Sequence, residues 1–148
     1  MEAVKEKKRK ASVKGAMTVN DGMEVQQAIN KMLQTSTGLK GKYVRIFLGN
    51  MEILDPLLSP IIKKQNDLVR EYVPMDENDQ PKRTANGFDF GGDDDKAQKF
   101  EAISAENWST PMGKFKFLKM SASDFDEMPI DTSKNDSMYL ILKYLVED

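Results

Sequence analysis

The aspartates of this chain are the side chains whose spacing comes nearest to a metal site. GGDDDK (Gly91–Lys96) carries three consecutive aspartates, and DENDQP (Asp76–Pro81) places oxygen-bearing side chains at alternate positions. A calcium loop needs the spacing D-x-[DN]-x-[DN]-G followed by a distal glutamate. Three adjacent carboxylates point in divergent directions, and the second segment lacks both the glycine and the glutamate. We therefore predict a solvated helix start at Gly91–Lys96, a turn at Asp76–Pro81, and no metal or cofactor.

Catalytic side chains are also scarce, because the chain contains no cysteine and no histidine. Thiolate nucleophiles, Cys-ligated metals, and Ser-His-Asp or Cys-His catalysis are therefore excluded within this chain. Carboxylates able to do acid–base work are plentiful, but nothing in the sequence singles out a pair. Asp55 comes closest, because it lies within a long apolar segment, but it precedes Pro56 as a turn former would. The segment GFDFGG has neither Walker nor Rossmann spacing. The sequence predicts a protein that is not an enzyme.

Charge is distributed unevenly along the chain, although the formal net charge is only −2. Residues 1–14 carry six cations against two anions, and residues 74–95 carry seven acids against two cations. The cations of the first stretch are Lys5, Lys7, Lys8, Arg9, Lys10 and Lys14. Such a run cannot pack together, so we predict a flexible basic arm at 1–16. The arm either binds nucleic-acid phosphates or serves as a solubilising tail.

Apolar residues at helical spacing predict a mainly α fold in a single domain at 17–148, with an acidic loop at 74–95. We expect a small bundle of three to five helices and a short extended or β segment near 114–120. The first helix is predicted to begin with a capping box, in which Asp21 is the N-cap and Glu24 reaches back to it.

The longest apolar-periodic stretch is Gly41–Tyr72. Pro56 and Pro60 each lack an amide hydrogen and crowd the preceding turn, so we predict a kink or a break there, with Ser59 capping a second helix. The apolar stripe must be buried, either in a core or against another protein. We interpret it as a partner interface formed by Val44, Phe47, Met51, Leu54, Leu58, Ile61, Leu68 and Tyr72.

Two Phe-x-Phe pairs lie outside this stretch. Phe88 and Phe90 interrupt the acidic loop, where they either pin the loop to the body or form a short edge strand. Phe115 and Phe117 alternate with lysines in KFKFLKM (Lys114–Met120), a period of two that is typical of a strand or an extended strap. Alternation places the rings on one face and the lysines on the other. It therefore predicts core-facing phenylalanines rather than a base-stacking surface.

The last helix is predicted to begin at Asn135 or Asp136. Its apolar side is formed by Met138, Ile141, Leu142 and Leu145. No run of about 18 apolar residues occurs, so the sequence predicts no membrane-spanning segment. The charged N-terminus is not followed by the apolar region of a secretory signal.

Five segments follow one another along the chain: GLKGKYVRIFLGNMEIL, NDLVREYVPMDENDQP, KFEAI, KFKFLKMSASDFDEMP and YLILKYLVED. Their order resembles a family of small tailed-phage proteins that consist of a helical hairpin and an extended strap. The resemblance covers about Asp21 to Asp148. It implies a phage origin, a role in the virion or its assembly, and a location in the virion or the host cytoplasm. It implies no catalytic residues.

We therefore predict a non-enzymatic phage virion-structural or assembly protein that acts through protein–protein interaction. Its partners would be other phage structural proteins or further copies of this chain, bound through the apolar faces of 44–72 and 138–145. The alternative is a nucleic-acid-associated or host-takeover regulatory protein whose main contact is the basic arm.

Overall fold

A computed structural model of the protein describes residues 17–35, 38–129 and 137–147. The described residues form helices α1 (Val19–Thr35), α2 (Gly41–Tyr72), α3 (Asp94–Trp108), α4 (Ala122–Glu127) and α5 (Ser137–Leu145). They also form two short antiparallel strands, β1 (Arg83–Thr84) and β2 (Gly87–Phe88). The predicted mainly α class is therefore confirmed. The basic arm at 1–16 and the predicted cap residues Asn135 and Asp136 lie outside the described residues.

Contacts divide the chain into two compact units. The first consists of Met1–Leu58 and Pro111–Asp148. We name it the strap unit after residues 112–120, the strap, which bends at Gly113 and Lys114 and then runs without helix to Met120. The second consists of Ser59–Thr110, and we name it the hairpin unit after β1 and β2.

α1 begins with a capping box, but one turn earlier than predicted. The hydroxyl of Thr18 accepts a hydrogen bond from the backbone N–H of Asp21 at 3.2 Å, and the carboxylate of Asp21 accepts one from the N–H of Thr18 at 3.1 Å. Thr18 is therefore the N-cap and Asp21 is the residue that reaches back. The prediction that Asp21 is the N-cap and Glu24 its partner is wrong, because the Thr18 hydroxyl caps the helix three residues earlier and Asp21 takes the role predicted for Glu24.

α2 continues without interruption through both of its prolines. Each proline removes one backbone hydrogen-bond donor from the helix. Leu54 and Leu58 on the same stretch are fully buried, and such packing supplies most of the stability of helices in proteins. The predicted break, with a separate helix capped by Ser59, is therefore wrong. A kink at Pro56 or Pro60 within the continuous helix stays a prediction.

The core of the strap unit joins α1, the first part of α2, the strap and α5. Its buried apolar residues are Met17, Val19, Val25, Ala28, Ile29, Met32, Tyr43, Phe47, Leu54, Leu58, Met112, Met120, Met128, Met138, Ile141, Leu145 and Val146. Many are methionines, whose unbranched, flexible side chains fill irregular gaps. Met112 shows this use, because its sulfur would lie 2.6 Å from a Cβ placed on Gly22 of α1.

The core of the hairpin unit is a small aromatic cluster. Leu68, Val73 and Phe100 are buried, and the half-buried residues packed against them are Val69, Tyr72, Phe88, Phe90 and Ile103. α3 begins at the predicted aspartates, since the carboxylate of Asp93 caps it by accepting the N–H of Lys96 at 3.0 Å. The acidic loop is thus held to the unit by its two phenylalanines.

Candidate interaction surface

The strap is an extended segment that is fixed at both ends. At its start, the N–H of Met112 donates to the carbonyl of Met17 at 2.7 Å. At its end, the N–H of Met120 donates to Leu145 at 2.8 Å and its carbonyl accepts from Glu147 at 2.9 Å. The predicted extended segment near 114–120 is confirmed.

The side chain of Asn50 holds the strap at its middle. Its amide oxygen accepts the N–H of Leu118 at 2.7 Å, and its amide nitrogen donates to the carbonyl of Leu118 at 2.9 Å. Asn50 therefore pairs with the backbone N–H and the carbonyl of Leu118, as a neighbouring strand would. The Asn50 side chain is itself fully buried. Sequence reasoning missed this residue. The available signal was an amide at helical spacing between Phe47 and Leu54 on an apolar face.

Leu118 also lies close to the α2 backbone at Gly49. A Cβ placed on Gly49 would come within 2.5 Å of the Leu118 Cδ1 methyl, so a larger residue at this position would displace the Leu118 side chain. Leu118 is nevertheless 47% exposed. The strap therefore presents an apolar side chain outward directly above its anchor.

A groove of about 660 Å³ runs along the strap. Its lining residues are Met17, Phe115, Lys116, Phe117, Leu118, Lys119, Lys143, Tyr144 and Glu147. Three aromatic rings follow one another in it. The ring centres of Phe115 and Phe117 are 4.9 Å apart in an edge-to-face arrangement, and those of Phe117 and Tyr144 are 6.0 Å apart.

The alternation predicted for KFKFLKM is present in the burial of its side chains. Phe115 and Phe117 are half-buried, with ring centres 4.9 Å apart, whereas Lys114 and Lys116 are exposed. Neither ring belongs to the buried core, because both keep part of their surface exposed. Lys116 lines the same groove as both rings.

The groove carries a cationic excess. Among its lining residues, Lys116, Lys119 and Lys143 face the single acid Glu147. The Lys143 ammonium lies 5.0 Å from the ring centre of Tyr144. Interaction with Tyr144, foremost by hydrogen bonding, raises the pKa of Lys143, so this side chain stays cationic at neutral pH.

An ion pair joins the start of α2 to α4. The Lys42 ammonium is 2.9 Å from the Asp124 carboxylate, and the hydroxyl of Tyr43 donates to the Asp124 carbonyl at 2.7 Å. The hydrogen bond between the charged groups lowers the pKa of Asp124 and raises that of Lys42. Ser121 caps α4 by accepting the N–H of Asp124.

The residues predicted to form a partner interface divide into two groups. Phe47, Leu54 and Leu58 are fully buried in the strap unit, and Leu68 is buried in the hairpin unit. Side chains without exposed surface contact no partner in this conformation, so these four serve the chain's own core. The other four, for which the interface stays a prediction, are half-buried: Val44, Met51, Ile61 and Tyr72.

The large apolar side chains that are exposed lie elsewhere. Within the described ranges they are Leu48, Leu118, Tyr139 and Leu142, with exposures between 47% and 66%. All four belong to the strap unit. The predicted apolar side of the last helix is accordingly divided, since Met138, Ile141 and Leu145 are buried while Leu142 is exposed.

The acidic segments form turns and a helix start. The carboxylate of Asp76 accepts the N–H groups of Asn78 and Gln80 at 2.8 and 3.0 Å, which confirms the predicted turn. Across residues 17–35, 38–129 and 137–147, no group of three or more acidic side chains is placed to hold a metal ion.

None of the helices in the described part of the chain is long and apolar enough to cross a membrane. No protein-family model, curated protein or solved structure matches the chain. The tailed-phage resemblance therefore stays a prediction.

Proposed function

We propose that this chain is a non-enzymatic interaction protein, a virion-structural or assembly component of a phage that acts by binding other proteins. The observation that carries the proposal is the concentration of exposed large apolar side chains on the strap unit. Grouped apolar residues on a soluble surface are typical of a protein–protein contact.

These side chains form two pairs, one where Leu118 of the strap packs on α2 and one within α5. Leu118 packs over Gly49, which follows Leu48 directly in α2. Tyr139 and Leu142 are three residues apart in α5, a spacing that places both on the same helix face. Each pair thus offers a partner a small apolar contact rather than an isolated side chain.

The phage assignment draws its support from the resemblance of the chain's segments to small tailed-phage proteins. It places the protein in the virion or the host cytoplasm. Binding partners would be other structural proteins of the same phage or a second copy of this chain.

The proposal is tested by incorporation into phage particles. The double variant Leu118→Ser with Leu142→Ser removes one exposed apolar residue from each pair, and neither side chain is buried. We expect wild type in purified virions or assembly intermediates by quantitative mass spectrometry, and at least a tenfold loss for the variant. The matched control is Ala102→Ser with Ala105→Ser, two exposed positions of α3. Absence of the wild type from both fractions, or equal incorporation of both double variants, contradicts the proposal.

A nucleic-acid-associated or host-takeover regulatory protein is the second candidate. It is favoured by the position of Met17, which lines the cationic groove and is joined directly to the basic arm at 1–16. Deletion of 1–14 tests it, because an arm that binds phosphates contributes affinity that falls steeply with salt. Unchanged nucleic-acid affinity after the deletion contradicts a role for the arm.

A further inference from the structure

The groove along the strap combines the two features that single-stranded nucleic acid requires. Proteins that bind single strands use aromatic side chains on which bases stack, and cations that follow the phosphates. Phe115, Phe117 and Tyr144 provide half-exposed rings in one row. Lys116 and Lys119 line the groove from the segment that carries Phe115 and Phe117, and Lys143 lines it from the helix that carries Tyr144.

Hydrogen bonds fix the backbone segments that carry these rings. The buried amide of Asn50 fixes the backbone of Leu118, the residue next to Phe117, at 2.7 and 2.9 Å. The end of the strap is tied to the end of α5, the helix that carries Tyr144. The strap and the helix that carries Tyr144 are therefore fixed before a ligand binds, which reduces the conformational entropy lost on binding.

Charge points to an anionic occupant. Three lysines line the groove against Glu147, and Asp21 also lies near enough to Lys143 to act on its charge. An acidic peptide would match the charge but would offer no flat rings to the aromatic row. A single-stranded nucleic acid matches both.

We propose that the groove binds single-stranded nucleic acid, with bases stacked on the rings of Phe117 and Tyr144 and phosphates paired with Lys116, Lys119 and Lys143. From residue 115 to residue 119 the extended strap covers about 13 Å, which is enough for more than one stacked base. The site rests on the second candidate function and adds to it a ligand class and a location outside the arm.

The test compares two fluorescein-labelled probes by anisotropy with the full chain. One probe is an oligothymidylate, and the other is an abasic deoxyribose-phosphate oligomer of equal length and charge. We expect wild type to bind the oligothymidylate about tenfold more tightly, the size of one base–aromatic stack. Phe117→Ala should remove that preference, whereas Phe88→Ala, a half-buried phenylalanine of the hairpin unit, should retain it.

Charge is tested separately with paired reversals. The double variant Lys116→Glu with Lys119→Glu should lower the affinity for both probes by at least tenfold and make that affinity less dependent on salt. The matched control is Lys63→Glu with Lys64→Glu, two exposed lysines of the hairpin unit. Equal effects of the two reversals overturn the groove as the site.

The remaining outcomes separate the site from the second candidate function. If wild type binds both probes equally, or if a polyglutamate peptide of equal charge competes as well as the oligothymidylate, base stacking in the groove is refuted. If deletion of 1–14 abolishes binding while Phe117→Ala changes nothing, the groove fails and the arm remains. If wild type binds neither probe, both fail.

Discussion

The chain contains two Phe-x-Phe pairs that share spacing and degree of burial but differ in what they contact. Phe88 and Phe90 lie in the hairpin unit, with ring centres 5.5 and 5.3 Å from that of buried Phe100. Phe115 and Phe117 lie in the strap unit, where they contact each other and Phe117 contacts Tyr144. The first pair packs on a core, and the second lines a groove.

The difference shows that partners, and not the local pattern, decide what a half-buried aromatic pair does. The ring centre of Phe88 lies 5.5 Å from that of buried Phe100, in an edge-to-face arrangement, and 4.5 Å from the Arg83 guanidinium. Both contacts lie within the hairpin unit. The strap rings have no buried ring among their described aromatic contacts, and they face the groove beside lysines. The first pair packs against a buried ring, and the second is the pair for which we propose binding.

The largest effect is expected from removing the centre of the first pair's cluster. Phe100→Ala should lower the free energy of unfolding by about 3–4 kcal/mol, because a buried ring is lost and three aromatic neighbours lose their contact. Urea unfolding followed by the fluorescence of the single tryptophan, Trp108 of the hairpin unit, measures it. A loss below about 1 kcal/mol would contradict a core role for this cluster.

The strap's anchor should give the next largest effect. Asn50→Ala leaves the N–H and carbonyl of Leu118 without their partner, and we expect a loss of about 2–3 kcal/mol in urea unfolding. Hydrogen exchange at the Leu118 amide should also become faster. Asn66→Ala, at an exposed position of the same helix, is the matched control. Slow exchange of Leu118 in the Asn50 variant would show that the strap is held by other contacts.

Truncating one ring of each pair should give smaller losses of stability, and the loss should be larger for the first pair than for the second. Phe88→Ala should cost about 1–2 kcal/mol of stability, because its ring packs edge-on against a buried ring. Phe117→Ala should cost less than about 1 kcal/mol, since its ring contacts only half-buried rings. Both values come from the same urea titration. The reverse order would remove the distinction between a structural pair and a binding pair.

The smallest effect is a pH dependence that arises in the strap unit alone. The hydrogen bond from the Lys42 ammonium lowers the pKa of Asp124 in the folded protein. The Asp124 carboxylate therefore stabilises the fold fully above its unfolded-state pKa, and this stabilisation is lost as the pH falls through the lowered pKa of the folded state. The pKa of Lys42 is raised, so the stabilisation that its ammonium supplies is lost only at strongly alkaline pH. We expect the stability difference between wild type and Asp124→Asn to be constant from pH 5 to 8 and to shrink below about pH 4. A difference independent of pH would contradict the ion pair.

Much of the fold follows from local sequence signals. Local signals predicted three features: the helix at 41–72, the start of α3 at its aspartates and the turn at Asp76. They could do so because helix caps, turns and amphipathic stripes depend on residues that are close in sequence. α2 departs from local expectation at Pro56 and Pro60, where burial of Leu54 and Leu58 accompanies a helix that propensity alone would end.

The candidate surface was less accessible to sequence reasoning. Helical spacing identified Phe47, Leu54 and Leu58 as a stripe that must be buried, but spacing cannot tell a core from an interface. The face of Phe115 and Phe117 depends on contacts far along the chain, from Asn50 and from the end of α5. Such contacts have no signature within KFKFLKM itself.

A hydrogen-exchange footprint shows whether the second Phe-x-Phe pair binds a ligand while the first does not. Amide hydrogen exchange of the full chain is measured with and without saturating oligothymidylate. We expect slower exchange at 115–119 and 143–147 and no change at 83–90. Protection at 83–90, or no protection at 115–119 when the probe is bound, would contradict this expectation.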